Sequence, residues 1–224
     1  SDVCSSDLVA HAEAELKLSV EERYKAVPPF RPSGDPAQVA AAVKLLEEAE
    51  RPIIVAGGGV VWSQAQAEVV KLAEQLSIPV ATSLNAKGAI LDTHALSVGV
   101  VGTYSRTSAN KSVGEADLVF FIGSHTGGQV TARWQVPKVG TRVMHLDIDA
   151  AEMGRNYPTE LALLGDAKTV LQQMIAVGGG KNKHAAWLGR VNELKKEFRD
   201  AVAANVNSDE VPMRPERVCR EITE

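Results

Sequence analysis

Cysteine is nearly absent from this sequence. Only Cys4 and Cys219 occur in 224 residues, too few and too far apart for a disulfide framework or a thiolate metal site. Aromatic residues make up 4% of the chain, so aliphatic side chains have to build the core. No run approaches the roughly 18 apolar residues of a membrane-spanning helix, and no secretory pattern is visible. Lysine and arginine do not cluster, and a formal charge of −4 argues against a nucleic-acid surface. There is no nucleophile–base pair and no metal-ligand spacing, so no catalytic residue and no metal ligand is assigned. A cytoplasmic protein with neither membrane nor nucleic-acid partner is the expectation.

What the sequence does have is alternation. Arg51-Pro52-Ile53-Ile54-Val55-Ala56-Gly57-Gly58-Gly59 sets an apolar run between a proline and three glycines. That pattern predicts a strand buried on both faces of a parallel sheet. A helix is predicted over 63–76, with Ala65, Val69, Val70, Ala73 and Leu76 on its inner face. Strand, glycine turn and helix bring backbone N–H groups to a ligand or to a neighbouring segment. A tight turn that binds nothing fits equally, because three glycines fall short of the full GxGxxG dinucleotide fingerprint.

The same unit recurs. Further strands are predicted at 78–82, 96–98, 117–123, 142–149 and 161–165, with helices at 105–114 and 167–177 between and after them. Asp35 and Pro36 form an N-cap and first-turn pair for a helix to about Glu48, with Val39, Ala42, Val43 and Leu46 inward. Asp166 caps the 167–177 helix in the same way. Pro28-Pro29-Phe30-Arg31-Pro32 reads as an extended linker. Gly178-Gly179-Gly180-Lys181-Asn182-Lys183 reads as a flexible turn, followed by a charged helix from His184. The expected fold is α/β: a doubly wound, six-stranded, mainly parallel, Rossmann-like sheet.

Organisation follows from these breaks. Residues 1–8 match an in-frame translation of a common sequencing adapter, which makes them an expected artefact. Residues 9–34 are expected to be linker from an upstream domain, and 35–178 the central α/β domain. Residues 179–212 are helix and linker, and 213–224 begin a further domain.

The segments Arg51–Gly59, Ile78–Thr82, Ala116–Val119, His145–Asp149, Asn156-Tyr157-Pro158 and Leu164–Ala167, in this order and spacing, resemble the central domain of thiamine-diphosphate enzymes of the acetolactate synthase large subunit family. Met213–Val218 resembles the lead-in to that family's C-terminal domain. The resemblance implies a parent 2-keto acid carboligase or decarboxylase, using thiamine diphosphate and Mg²⁺ held by N- and C-terminal domains outside this chain. It also implies a homodimer or homotetramer. The family's GDG motif is missing, since Gly165-Asp166-Ala167 lacks the second glycine, so the chain alone is expected to be inactive.

Some relatives of this kind hold FAD or another adenine nucleotide in the central domain. Carried over by resemblance, the candidate contacts are Gly57, Gly58, Gly59, Gly123, Ser124, Asp147 and Asp149. The loop after the 117–123 strand departs from the FAD-binding pattern. It reads Gly123-Ser124-His125-Thr126-Gly127-Gly128-Gln129-Val130-Thr131 and has lost the two arginines that would face a diphosphate. That loss argues against FAD. A stand-alone FAD or NAD module and a structural domain with an empty cleft remain as alternatives.

Several single residues carry two readings each. His125 is a ligand contact or an exposed loop residue, and His145 is a core residue. Asp147 and Asp149 grip a ribose hydroxyl, or Asp149 caps a helix. Asp117 is a turn residue, Arg133 and Trp134 face a ligand or a neighbouring domain, and Cys219 faces the next domain.

Overall fold

A computed structural model describes residues 19–180 and 183–223. The adapter-like segment 1–8, the start of the upstream linker and Lys181-Asn182 lie outside the described residues.

Six strands form one sheet: β1 (Pro52–Ala56), β2 (Val80–Thr82), β3 (Ser97–Val100), β4 (Leu118–Ile122), β5 (Arg142–Asp147) and β6 (Leu161–Leu164). Their order is β3-β2-β1-β4-β5-β6, and every pairing is parallel. The central pair is in continuous register, Ile53 beside Val119 and Val55 beside Phe121. All five residues of β1 and of β4 are buried, as expected of apolar runs covered on both sides.

Strand alternation divides these side chains between two cores. On one face Ile54, Ala56, Phe120, Ile122, Met144 and Leu146 pack against α1 (Pro36–Glu48), α3 (Gln66–Leu76) and α5 (Ala167–Val177). On the other, Ile53, Val55, Val119, Phe121 and Val143 pack against α4 (Thr107–Glu115) and α6 (Ala185–Val206). A final helix, α7 (Pro215–Thr223), has no buried residue.

The caps behave as their sequence predicts. Asp35 accepts from the N–H groups of Ala37 and Gln38, and Asp166 from that of Thr169. Asp117 accepts from Glu50 N–H and Arg51 N–H, both at 2.8 Å, fixing the entry to β1.

Several boundaries differ from the sequence reading, four of them for a visible reason or with a consequence for the fold. Helix begins at once after Gly57 as the short α2 (Gly58–Trp62), and α3 follows only at Gln66. Between them Gln64 adopts a left-handed φ of 55°, which no periodicity signal announces. β2 starts at Val80, because Pro79 offers no N–H to a ladder. β3 runs on through Gly99 to Val100. β5 stops at Asp147, where the Asp147 carboxylate accepts the Asp149 N–H at 3.0 Å and turns the chain away.

Candidate functional site

The sheet order reverses direction between β1 and β4, and crevices for ligands open at such switch points beyond the carboxyl ends of the strands. Here that place holds a cleft of about 700 Å³. Its walls come from α2, the β2 exit, the β3–α4 turn, the long loop after β4 and the β5 exit.

The glycines of the β1 turn do a packing job. Gly57 N–H donates to the Ile122 carbonyl at 2.8 Å, and Gly59 N–H to the Gly123 carbonyl at 2.9 Å. A Cβ on Gly57 would overlap the Gly123 carbonyl, and one on Gly59 would sit 2.7 Å from Gly123 Cα. Gly123 itself takes a φ of +57°, a region open to glycine at little cost. The β1 and β4 exits therefore lie backbone to backbone, and Gly123 N–H ties them to Leu146 at 2.7 Å.

Of the seven predicted contacts, Gly58, Gly59, Gly123, Ser124, Asp147 and Asp149 line the cleft; Gly57 lies behind it, beneath Gly123 and Ser124. Gly58 has the freest approach, since a Cβ there would meet only Asn85, at 3.5 Å. The Ser124 hydroxyl is buried and accepts weakly from Thr126 N–H at 3.4 Å. Asp149 caps a 3₁₀ turn through Ala151 N–H, the helix-capping role.

Beneath the β5 exit lies a small titratable group. His145 is buried, its Nε2 is 3.8 Å from Asp147 Oδ2, and that nitrogen has no hydrogen-bond partner. Burial holds its basicity below the ordinary histidine range, partly offset by the Asp147 carboxylate and the Ser124 backbone. The ring meets Phe121 edge-on at 6.3 Å, so His145 is a core residue. Glu152 is buried beside it and takes Arg155 Nη1 at 2.6 Å and His125 Nδ1 at 3.0 Å. Burial pushes its carboxyl up, but His125 and Arg155 outweigh this and keep it below the ordinary range. His125 itself is exposed, with 82% of its side chain open to solvent.

Sequence reasoning missed the apolar rim. Trp62, Leu84, Tyr104 and Ile148 are all more than half exposed and line the cleft. In a chain with 3 Trp and 3 Tyr, aromatic residues next to glycine turns were the available signal. The lining carries the carboxylates of Asp147 and Asp149 and neither Lys nor Arg. Arg133 and Trp134 stand outside it, in left-handed conformation at φ 58° and 60°.

Two cofactor chemistries can be tested against these atoms. A diphosphate needs cationic or free N–H donors; the cleft offers two carboxylates and neither Lys nor Arg, and of the two turn glycines that line it, Gly59 already gives its N–H to the Gly123 carbonyl. A magnesium–diphosphate site needs open carboxylates. Asp166 is closed: Oδ1 accepts from Arg31 and Thr169, and Oδ2 from Ser63 at 2.6 Å. Among the described residues no group of three or more His, Cys, Asp or Glu is placed to hold a metal ion. The closed Asp166 does not fit a magnesium–diphosphate site, and the cleft lining lacks the lysine or arginine that would grip a diphosphate.

A doubly wound parallel sheet, with a cleft at its switch point lined by two aspartates and neither Lys nor Arg, defines the class: a Rossmann-like α/β domain. The family is more specific. The model of the thiamine pyrophosphate enzyme central domain matches residues 39–174, and the chain belongs to that family. It is 36% identical over 204 residues to a probable acetolactate synthase large subunit of Methanocaldococcus jannaschii, covering 88% of this chain and 34% of that protein. The acetolactate synthase large subunit of Cyanidium caldarium is 32% identical over 209 residues, covering 90% and 35%. A glyoxylate carboligase of Escherichia coli O157:H7 is 30% identical over 216 residues, covering 93% and 36%. The chain thus spans about a third of the length of the curated relatives it matches.

Proposed function

We propose that this chain is the central, scaffolding part of a thiamine-diphosphate-dependent carboligase or decarboxylase acting on a 2-keto acid. The observation that carries the reading is the family match over the whole sheet, from α1 to α5. In this reading thiamine diphosphate and Mg²⁺ are held by N- and C-terminal domains of the parent protein; the closed carboxylate after β6 supports it. The parent works in the cytoplasm as a homodimer or homotetramer. No helix among the described residues is long and apolar enough to cross a membrane.

Within that protein the sheet acts as a rigid spacer, and its cleft does not hold a diphosphate-linked cofactor. A lining with two aspartates and neither Lys nor Arg favours this over a stand-alone FAD or NAD module.

The experiment is an assay of a protein that joins this chain to the N- and C-terminal domains of the relatives. With pyruvate or glyoxylate, the expected result is carbon dioxide release that requires both thiamine diphosphate and Mg²⁺. Turnover independent of thiamine diphosphate would overturn the reading.

A further inference from the structure

The break between α2 and α3 has a use. It turns buried Ser63 toward the opposite edge of the sheet, where its Oγ donates to Asp166 Oδ2 at 2.6 Å and accepts from Lys168 N–H at 2.9 Å. Arg31 arrives from upstream of α1 and meets the same node. Its Nη1 donates to the Ser63 carbonyl at 2.8 Å and to Asp166 Oδ1 at 3.0 Å.

The residues after Arg31 are seated as firmly. The Pro32 carbonyl accepts from Asp166 N–H at 2.8 Å. Gly34 and Gln173 exchange two hydrogen bonds, at 2.9 and 3.1 Å. Asp166 is 2% exposed; burial raises its carboxyl, yet hydrogen bonds from Ser63, Thr169 and Arg31 hold it below the ordinary carboxylate range. The node is a charged, hydrogen-bonded network with Ser63 and Asp166 buried and the Arg31 side chain 33% open to solvent, the kind that fixes one arrangement of the segments it joins.

Ser63 immediately follows Trp62, and both Val61 and Trp62 line the cleft. We propose that Arg31 is a positioning residue that ties the segment 31–34 to the α2 wall of the cleft, so that pulling this segment from its seat loosens that wall. The cleft is thereby mechanically linked to whatever precedes residue 31. This inference stands on the contacts alone and does not depend on the thiamine-diphosphate reading.

Amide hydrogen exchange on the full chain tests it, comparing the parent with Arg31→Ala and Arg31→Lys. The reporting amides are Gln64 and Ala65, bonded to the Val61 and Val60 carbonyls, with β4 as the internal reference. In Arg31→Ala these two amides should exchange about tenfold faster or more, the usual effect of losing a charge-assisted hydrogen bond, while β4 is unchanged. Arg31→Lys keeps the charge and should recover part of the protection. Faster exchange confined to 31–34 would overturn the proposal, and so would equal loosening of α2 and β4, which is plain destabilisation. If Arg31→Ala does not fold, Arg31→Gln is read against the same two amides.

Discussion

The two faces of the sheet are built differently. The face under α1, α3 and α5 is a wholly apolar layer whose helices all lie close to the family's matched stretch, 39–174. The other face is thinner and mixed. It carries buried His145 and Asp147 at the end of β5, leaves Leu164 on β6 53% exposed, and depends for its cover on α4 and on α6, which begins after residue 174. Trp187 makes the difference plain: it is buried against this face, and its Nε1 donates to the Pro52 carbonyl at 2.9 Å. One face is closed by helices that overlap the matched stretch, whereas the other needs, besides α4, a helix from farther along the chain.

The sharpest way to break this comparison is to empty both faces. Phe120→Ala on the first face and Trp187→Ala on the second should each cost about 3–5 kcal/mol of unfolding free energy, by denaturant titration. Only Trp187→Ala should release α6 while α1, α3 and α5 stay protected in hydrogen exchange. If α6 keeps its protection, it does not depend on that face. Next in size is Gly57→Ala, which forces the β1 and β4 exits apart and should cost about 1–3 kcal/mol or more. A smaller effect is expected at the first face from Asp35→Ala, which removes the α1 cap and should cost about 1 kcal/mol.

The smallest prediction concerns pH and belongs to the second face. His145 binds its proton less readily folded than unfolded, so the unfolded chain takes up more protons as pH falls. Stability should therefore decline below about pH 6.5, the ordinary histidine value. Asp166 and Glu152, held below the ordinary carboxylate range, act in the same direction at lower pH. His145→Gln should flatten the slope nearest neutrality and leave the lower one, in unfolding curves measured from pH 7.5 to 4. An unchanged slope above pH 5.5 would remove His145 from the account.

Much of this was legible in the sequence, for physical reasons that can be stated. β1 and β4 are short apolar runs closed by glycine, and that length and punctuation read as a doubly covered parallel strand. Asp35 and Asp166 each precede a helix by one residue, and capping is a local interaction. What was illegible is long-range. Gly57 and Gly59 are glycines because Gly123, more than sixty positions away, lies against them. The role of Ser63 depends on Arg31 and Asp166, which no local window contains. In α6 the charges dilute the apolar stripe, so Trp187, Val191 and Leu194 read as a linker helix although all three are buried. The rim of the cleft was missed for a related reason, since Trp62, Leu84 and Tyr104 come from three separate turns.

The most direct measurement is a calorimetric titration of this chain with FAD, and separately with thiamine diphosphate plus Mg²⁺. A scaffold whose cleft carries two aspartates and neither Lys nor Arg, with a closed Asp166, predicts no saturable heat from either. Stoichiometric binding of FAD would contradict the reading of the cleft, and stoichiometric binding of thiamine diphosphate would contradict the placement of that cofactor in other domains.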